Sequence, residues 1–267
     1  MNVSLQQKTH HILRIAVAMC FIGHGAFGII TKAVWCNYFA VFGIGKVLAY
    51  QLMPVVGGFD ILFGIIMLVY PVRAIPAWLV TWGIVTALLR PLSGEPFAEF
   101  IERAGNYGAP LALLILSGIP KSSKGWFTRI DTGIEDDEAT LARVKTLLKV
   151  IVFFLLAGHG WLNIAEKAGL VNQYTSLGFS NPKETALIVG IIEITAALVV
   201  LIKPIRPLLL ALFIWKMGTE LLYPHYALFE WIERGGSYGA LLALWMLTER
   251  GSSPKFTAAK GYNIQQA

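Results

Sequence analysis

Long apolar stretches separated by short polar segments recur along the chain, four in each half. An α-helix rises about 1.5 Å per residue, so about 20 apolar residues cross the roughly 30 Å hydrocarbon core of a bilayer. The pattern predicts an all-α polytopic membrane protein with about eight transmembrane helices. The predicted spans are 12–31, 53–71, 74–90, 99–118, 146–166, 185–203, 206–222 and 230–248.

The two halves resemble each other in order and in spacing. FIGHGAFGI at 21–29 corresponds to LAGHGWLNI at 156–164, and EFIERAGNYGA corresponds to EWIERGGSYGA. Between these motifs, residues 60–82 align with residues 193–215 without a gap. Several landmarks in one order predict a tandem duplication. Because each unit has an even number of spans, the two repeats are expected to be parallel.

The duplication predicts three regions. Residues 1–118 form the first four-helix repeat, and residues 144–267 form the second repeat with a C-terminal tail. Residues 119–143 form a polar connector that contains IEDDEATLARVK. A charge run of this kind is typical of a solvated linker or surface helix.

Composition supports a membrane location. The chain is 56% hydrophobic and 14% charged, whereas soluble domains carry about 25% charged residues. The net charge of +6 comes without a basic patch interleaved with aromatics, so we expect the lipid bilayer as partner and no nucleic acid. Lys and Arg favour the side that holds the termini, the Pro71 and Pro204 turns and the connector. The positive-inside rule then predicts a multi-pass protein of the bacterial inner (plasma) membrane with both termini cytoplasmic.

Two acids and two histidines recur at matching positions in apolar stretches. They are Asp60 and Glu193, and His24 and His159. An ionised group in a membrane helix costs about 2.5–3.5 kcal/mol and usually faces protein or water. These four residues are the candidate catalytic groups, with proton transfer or ligand binding as the expected role. The alternative is that they form buried pairs that only hold helices together. No tight ligand spacing such as HxxxH is present, so no metal site is expected.

A second repeated motif, ExxER, begins the fourth span of each half. It predicts an i,i+4 ion pair between its first Glu and its Arg, with a tyrosine one turn further along the same face. The motif residues are candidates for ligand binding, and the alternative is an ion pair at a helix start. They are Glu99, Glu102, Arg103 and Tyr107 in the first half and Glu230, Glu233, Arg234 and Tyr238 in the second.

The second half carries additional ionisable groups. Lys216 and Glu220 lie at i,i+4 where the first half has Gly83 and Ala87, and His225 follows. These three are further candidates for ligand binding. If only one half is active, this enrichment favours the second. The alternative is an intramembrane Lys–Glu pair that holds helices together.

The second half resembles a known family. GHGWLNIAEKAGLVNQYTSLGF, followed by IVGIIEITAALVVLIKPIRPLLLALFIWKMGTEL, is similar to the DoxX-like membrane proteins, which are four-helix proteins. The resemblance covers residues 144–248 and departs from the family in its tandem arrangement. It implies a redox-associated, quinone-linked process such as thiosulfate:quinone oxidoreduction, and it matches Glu193 to the acid of the family's second helix.

Three functions remain open at this point, and whether the chain is an enzyme is open with them. The first is a quinone-interacting redox protein, whose electrons come from a redox partner subunit because the chain has no haem, flavin or iron–sulfur motif. The second is a small-solute or ion transporter, although the sequence indicates no broken helix and places the polar groups toward one side. The third is a non-catalytic scaffold or assembly factor.

Overall fold

The computed structural model describes residues 3–131, 136–222 and 228–248. Within these ranges 80% of the residues are helical and there are no strands. The first half contains α1 Leu5–Ile29, α2 Trp35–Ala40, α3 Lys46–Val69, α4 Ala74–Leu92, α5 Ala98–Glu102 and α6 Ala104–Leu116. After α7 Ser123–Phe127, the second half contains α8 Glu138–Ile164, α9 Ala168–Ser176, α10 Pro182–Ile202, α11 Arg206–Leu221, α12 Leu228–Glu233 and α13 Gly235–Leu247.

Four of these helices, α1, α3, α4 and α10, are long and apolar enough to cross a membrane. The outer face of α10 illustrates the apolar surface that these helices present: Ile188, Ile191 and Ile192 are each more than half exposed. A soluble surface rarely carries such a contiguous apolar patch, whereas lipid tails solvate it. The remaining predicted spans are shorter or more polar: α8 starts with a charged turn, and α11 has 16 residues and contains Lys216 and Glu220.

The fourth predicted span of each half is broken, and the expectation of a continuous helix there was wrong. The first break lies at Arg103, between α5 and α6, and the second lies at Arg234, between α12 and α13. The Arg103 side chain donates to the Glu99 carbonyl oxygen at 2.9 Å, which gives a hydrogen-bond partner to a backbone carbonyl near the C-terminal end of α5. Beyond the breaks, the backbones at Gly105 and Gly236 are in direct contact. A side chain on either residue would clash with the other segment, so glycine is required at both positions.

The two halves interlock through their first and fourth segments. Helix α1 packs on α3 but also on α12 and α13, and α8 packs on α10 but also on α5 and α6. Glycine makes these crossings close: Gly23 lies against the backbone of Glu233, and Gly158 lies against the backbone of Glu102. Each GHG histidine is therefore placed beside an ExxER acid of the other half.

Part of the connector is helical. It contains α7, and helix α8 begins within it at Glu138, with the Asp137 side chain as its N-cap. Asp136 accepts from the backbone N–H of Gln6 at 2.8 Å, which ties the connector to the first turn of α1. The backbone N–H of Ile130 donates to the carbonyl of Pro71. These contacts bring the start of α1, the α3–α4 turn and the start of α8 to one end of the bundle.

Candidate functional site

The repeated histidines and acids form two dyads. His24 Nδ1 lies 2.7 Å from Asp60 Oδ2, joining α1 to α3. His159 Nδ1 lies 2.5 Å from Glu193 Oε2, joining α8 to α10. Small residues permit both contacts, because the crossing helices meet at glycine backbones. The acids are 2% and 1% exposed, so each carboxylate depends on its histidine as a buried partner.

The second dyad has a fuller set of hydrogen-bond partners. Trp215 Nε1 donates to Glu193 Oε1 at 3.3 Å. Asn163, one turn after His159, donates to the His159 carbonyl oxygen at 3.1 Å and accepts from the Tyr174 hydroxyl at 2.8 Å. Sequence reasoning missed Asn163 and Tyr174 as site residues, although both lie within the segment that carries the family resemblance.

The first dyad lacks one of these contacts. Trp82, which aligns with Trp215, has a buried Nε1–H with no hydrogen-bond partner among the residues that the structure describes. The aspartate at position 60 is one methylene shorter than the glutamate at 193, which accounts for the missing contact. An unpaired buried donor is costly, about 1–3 kcal/mol, and therefore marks a position where a ligand acceptor is favourable.

A cavity of about 130 Å³ lies beside the first dyad. Its walls combine aromatic and aliphatic side chains, and the His24 and Trp35 ring centroids are 4.7 Å apart. Its polar end holds Arg90, Arg103, Asn106 and Glu233, and the Asn106 amide donates to Glu233 at 2.7 Å. We call it cavity one. Its aromatic lining residues besides His24 are Phe27, Trp35, Tyr38, Phe39, Phe42 and Trp82.

Cavity two lies beside the second dyad, has a volume of about 520 Å³, and is lined by His159, Trp215 and Tyr174 together with several leucines. Its polar end differs from that of cavity one because Glu220 replaces Ala87. The Lys216 ammonium lies 3.3 Å from Glu220, as the i,i+4 spacing predicts, and this lysine is 1% exposed. Cavity two is therefore the larger of the two, and its lining has two glutamates where that of cavity one has one.

An ion-pair network joins the polar ends of the two cavities. Glu102 is its centre, since it binds Arg103 at 3.0 Å and Arg234 at 2.8 Å. Arg103 also binds Glu99 at 2.6 Å, which confirms the i,i+4 pair expected in the first half. Lys167 binds the other oxygen of Glu99 at 2.6 Å. The carboxylates of the network are Glu95, Glu99, Glu102, Glu220 and Glu233, and its cations are Arg90, Arg103, Lys167, Lys216 and Arg234.

The matching ion pair expected in the second half is wrong. Glu230 binds Lys32 of the α1–α2 loop at 2.5 Å instead of Arg234. Arg234 turns toward Glu102 and lies 3.6 Å from Glu233 and 4.0 Å from Glu220. The break alone is not the reason, because Arg103 at the matching break keeps its pair with Glu99. The difference is in the partners: Lys32 occupies Glu230, and Arg234 binds Glu102 of the other half.

The three remaining ligand-binding candidates, Tyr107, Tyr238 and His225, have different surroundings. Tyr107 donates to the Phe100 carbonyl at 3.3 Å and stacks on that ring, which is a packing role. Tyr238 is buried, and its hydroxyl has no partner within the described ranges. His225 lies outside the described residues.

The cavity-one side also contains a contact that the sequence did not suggest. The Tyr38 hydroxyl in α2 donates to Glu95 at 2.6 Å, and Arg90 binds the other oxygen of Glu95 at 3.1 Å. Burial raises the pKa of Tyr38 well above its usual value, so the phenol stays protonated and acts as a donor. No pattern in the sequence links these residues, because they come from three separate segments.

No protein-family model, no curated protein and no solved structure matches this chain.

Proposed function

We propose that this chain is a DoxX-like integral membrane protein that binds a quinone ring in cavity one and serves a redox process with a partner subunit. The observation that carries the proposal is a cavity with several aromatic rings, whose lining includes His24 and Trp82. His24 is paired with Asp60, and the buried Trp82 N–H has no acceptor among the described residues. Planar rings stack on aromatic side chains, and a quinone carbonyl would satisfy the indole donor.

The proposed architecture is two parallel four-helix units with about eight spans, in a bacterial inner membrane and with both termini in the cytoplasm. The repeated sequence motifs support it. The order of helix lengths supports it as well. On each side of α7 the helices follow the same order of lengths: long, short, long, long, short and medium. In a bundle with this orientation, both dyads lie toward the outer side.

The residues of cavity one have separate roles in this proposal. A quinone accepts two electrons and two protons when it is reduced. His24 would donate one of these protons to a ring oxygen, while Asp60 holds the imidazole in place and stabilises its charged form. The second proton, and the one that restores His24, would come from water. Trp82 would orient the ring by donating to a carbonyl, and Trp35 would stack beside it. The electrons would come from the partner subunit.

The proposal is tested by titrating the purified protein with a short-chain quinone and measuring binding through the change in tryptophan fluorescence. Trp82→Phe keeps the aromatic wall and removes the donor, so it should weaken binding about tenfold, which corresponds to one hydrogen bond. His24→Gln should reduce quinone turnover in membranes more than it reduces binding. Trp161→Phe is the control, because Trp161 is 58% exposed on α8. Absence of saturable quinone binding to the wild-type protein would contradict the proposal.

A transporter is the second candidate, and the breaks at Arg103 and Arg234 favour it. Discontinuous helices often build transporter binding sites, and here the breaks place a buried Arg103 and a half-buried Arg234 between the halves. Solute or ion flux into proteoliposomes tests this function. Flux that is unchanged in both Asp60→Asn and Glu193→Gln would count against it.

A further inference from the structure

Three potential metal ligands converge at the polar end of cavity two. They are Glu102 of α5, His159 of α8 and Glu220 of α11, and one ligand atom from each lies within 4.8 Å of the others. All three are buried, at 2%, 8% and 9% exposure. Because they come from three helices and both halves, no spacing along the sequence indicates the cluster. We propose that it binds a divalent transition-metal ion, a role separate from quinone binding in cavity one.

The histidine is oriented as a metal-binding histidine would be. Its Nδ1 bonds Glu193 at 2.5 Å, and Trp215 holds the other oxygen of that carboxylate. Asn163 Nδ2 also lies 3.2 Å from this Nδ1. In the tautomer that donates from Nδ1 to Glu193, Nε2 carries the lone pair that a metal would bind. Metal-bound histidines commonly donate their other ring N–H to a carboxylate in this way, which fixes the tautomer and strengthens the ligand.

The two carboxylates differ in how they are held. Glu102 keeps both arginine contacts, which is compatible with metal binding because ligating carboxylates are themselves hydrogen-bonded. Glu220 is held loosely, at 3.3 Å from Lys216 and 4.0 Å from Arg234. It can therefore rotate toward an ion. Within the described ranges the buried Lys216 ammonium makes no hydrogen bond, and its ion pair with Glu220 competes with any cation for that carboxylate.

The lining and the volume of cavity two both permit an ion here. Glu102 and Glu220 both line the cavity beside His159. The cavity of about 520 Å³ leaves room for water to complete the coordination. One imidazole nitrogen and two carboxylate oxygens, without sulfur, suit Mn²⁺, Fe²⁺ or Zn²⁺ rather than Cu⁺.

Cavity one provides an internal comparison. Its corresponding positions are Glu233, His24 and Ala87, and alanine supplies no ligand. The site is therefore expected in cavity two alone.

To test this, the full-length protein in detergent is treated with a chelator and then titrated with Mn²⁺. Electron paramagnetic resonance measures the bound Mn²⁺, and Zn²⁺ is added as a competitor. Wild type should bind one Mn²⁺ that Zn²⁺ displaces. Glu220→Gln should weaken binding at least as much as Glu193→Gln, for which the loss of an outer partner predicts about 10–100-fold. Lys216→Met should bind Mn²⁺ more tightly, because it removes the competing ammonium.

Two controls separate this inference from misfolding and from the proposed function. Glu166→Gln alters an exposed acid paired with Lys183 and should bind as wild type does. His24→Gln affects the quinone site and should leave Mn²⁺ binding unchanged. A gain of affinity in Lys216→Met cannot result from misfolding. The inference is overturned if wild type shows no saturable Mn²⁺ binding, or if Glu220→Gln and Lys216→Met both bind as wild type does.

Discussion

At the scale of single residues, one methylene distinguishes the two dyads. Glu193 reaches both His159 and Trp215, whereas Asp60 reaches His24 and Trp82 is left without an acceptor. The sequence alone pairs Asp60 with Glu193 and both tryptophans with each other. It does not show that one indole is satisfied and the other is not, because that depends on how far each carboxylate extends across the helix crossing.

Asp60→Glu should therefore supply the missing acceptor. The longer side chain should reach Trp82 and stabilise the protein by about 1 kcal/mol, the net value of one hydrogen bond. The same change should weaken quinone binding, because the donor is no longer free. Thermal unfolding and quinone titration measure the two effects. Glu193→Asp is the reciprocal control and should destabilise the protein by leaving Trp215 unpaired. A fall in stability for Asp60→Glu together with unchanged quinone affinity would contradict this account.

At the scale of helices, part of the architecture follows from the sequence and part does not. The apolar stretches predict the positions of α1, α3, α4 and α10, and the GHG and acid motifs predict which polar groups are buried. The breaks at Arg103 and Arg234 were missed, because ExxER fits an uninterrupted helix with its own i,i+4 ion pair. The break follows instead from contacts between halves: Arg234 binds Glu102, and Gly105 meets Gly236. Such contacts have no local sequence signature.

The crossing of α8 over α5 can be tested at Gly158. A Cβ there would overlap the backbone of Glu102, so Gly158→Ala should separate the helices and destabilise the protein by about 1–3 kcal/mol, as overpacking does. Gly58→Ala in α3 is the matched control, because no atom lies within 4 Å of its Cβ position. That change should be neutral or slightly stabilising, since alanine favours helix. Thermal melts of the two variants give the comparison, and equal stability would be the contrary result.

At the scale of the whole molecule, polar features separate to the two ends of the bundle. The connector, the start of α1 and the Pro71 turn meet at one end. The α1–α2 loop with Lys32, and Glu166 after α8, lie beyond the opposite ends of α1 and α8. Charge counting along the sequence predicts which end is cytoplasmic. It does not predict that the connector is bonded to α1, because that contact joins residues more than 100 positions apart.

Cysteine labelling in intact cells tests which end of the bundle faces the cytoplasm. Lys124→Cys in α7 and Lys183→Cys at the start of α10 should react from opposite sides, with position 183 outside and position 124 inside. The background lacks the two native cysteines, which are both buried. A membrane-impermeant maleimide should label position 183 in intact cells and position 124 only after lysis. Labelling of both positions in intact cells would rule out this topology.

Each cavity takes residues from both halves: His24 faces Glu233, and His159 faces Glu102. In a symmetric pair of identical four-helix chains, any substitution would appear in both cavities at once. Joining the halves in one polypeptide removes that constraint. Position 220 can then carry a glutamate while its counterpart at 87 stays an alanine. The shared boundary thus lets one fold hold two different sites that remain in contact through a common acid, Glu102.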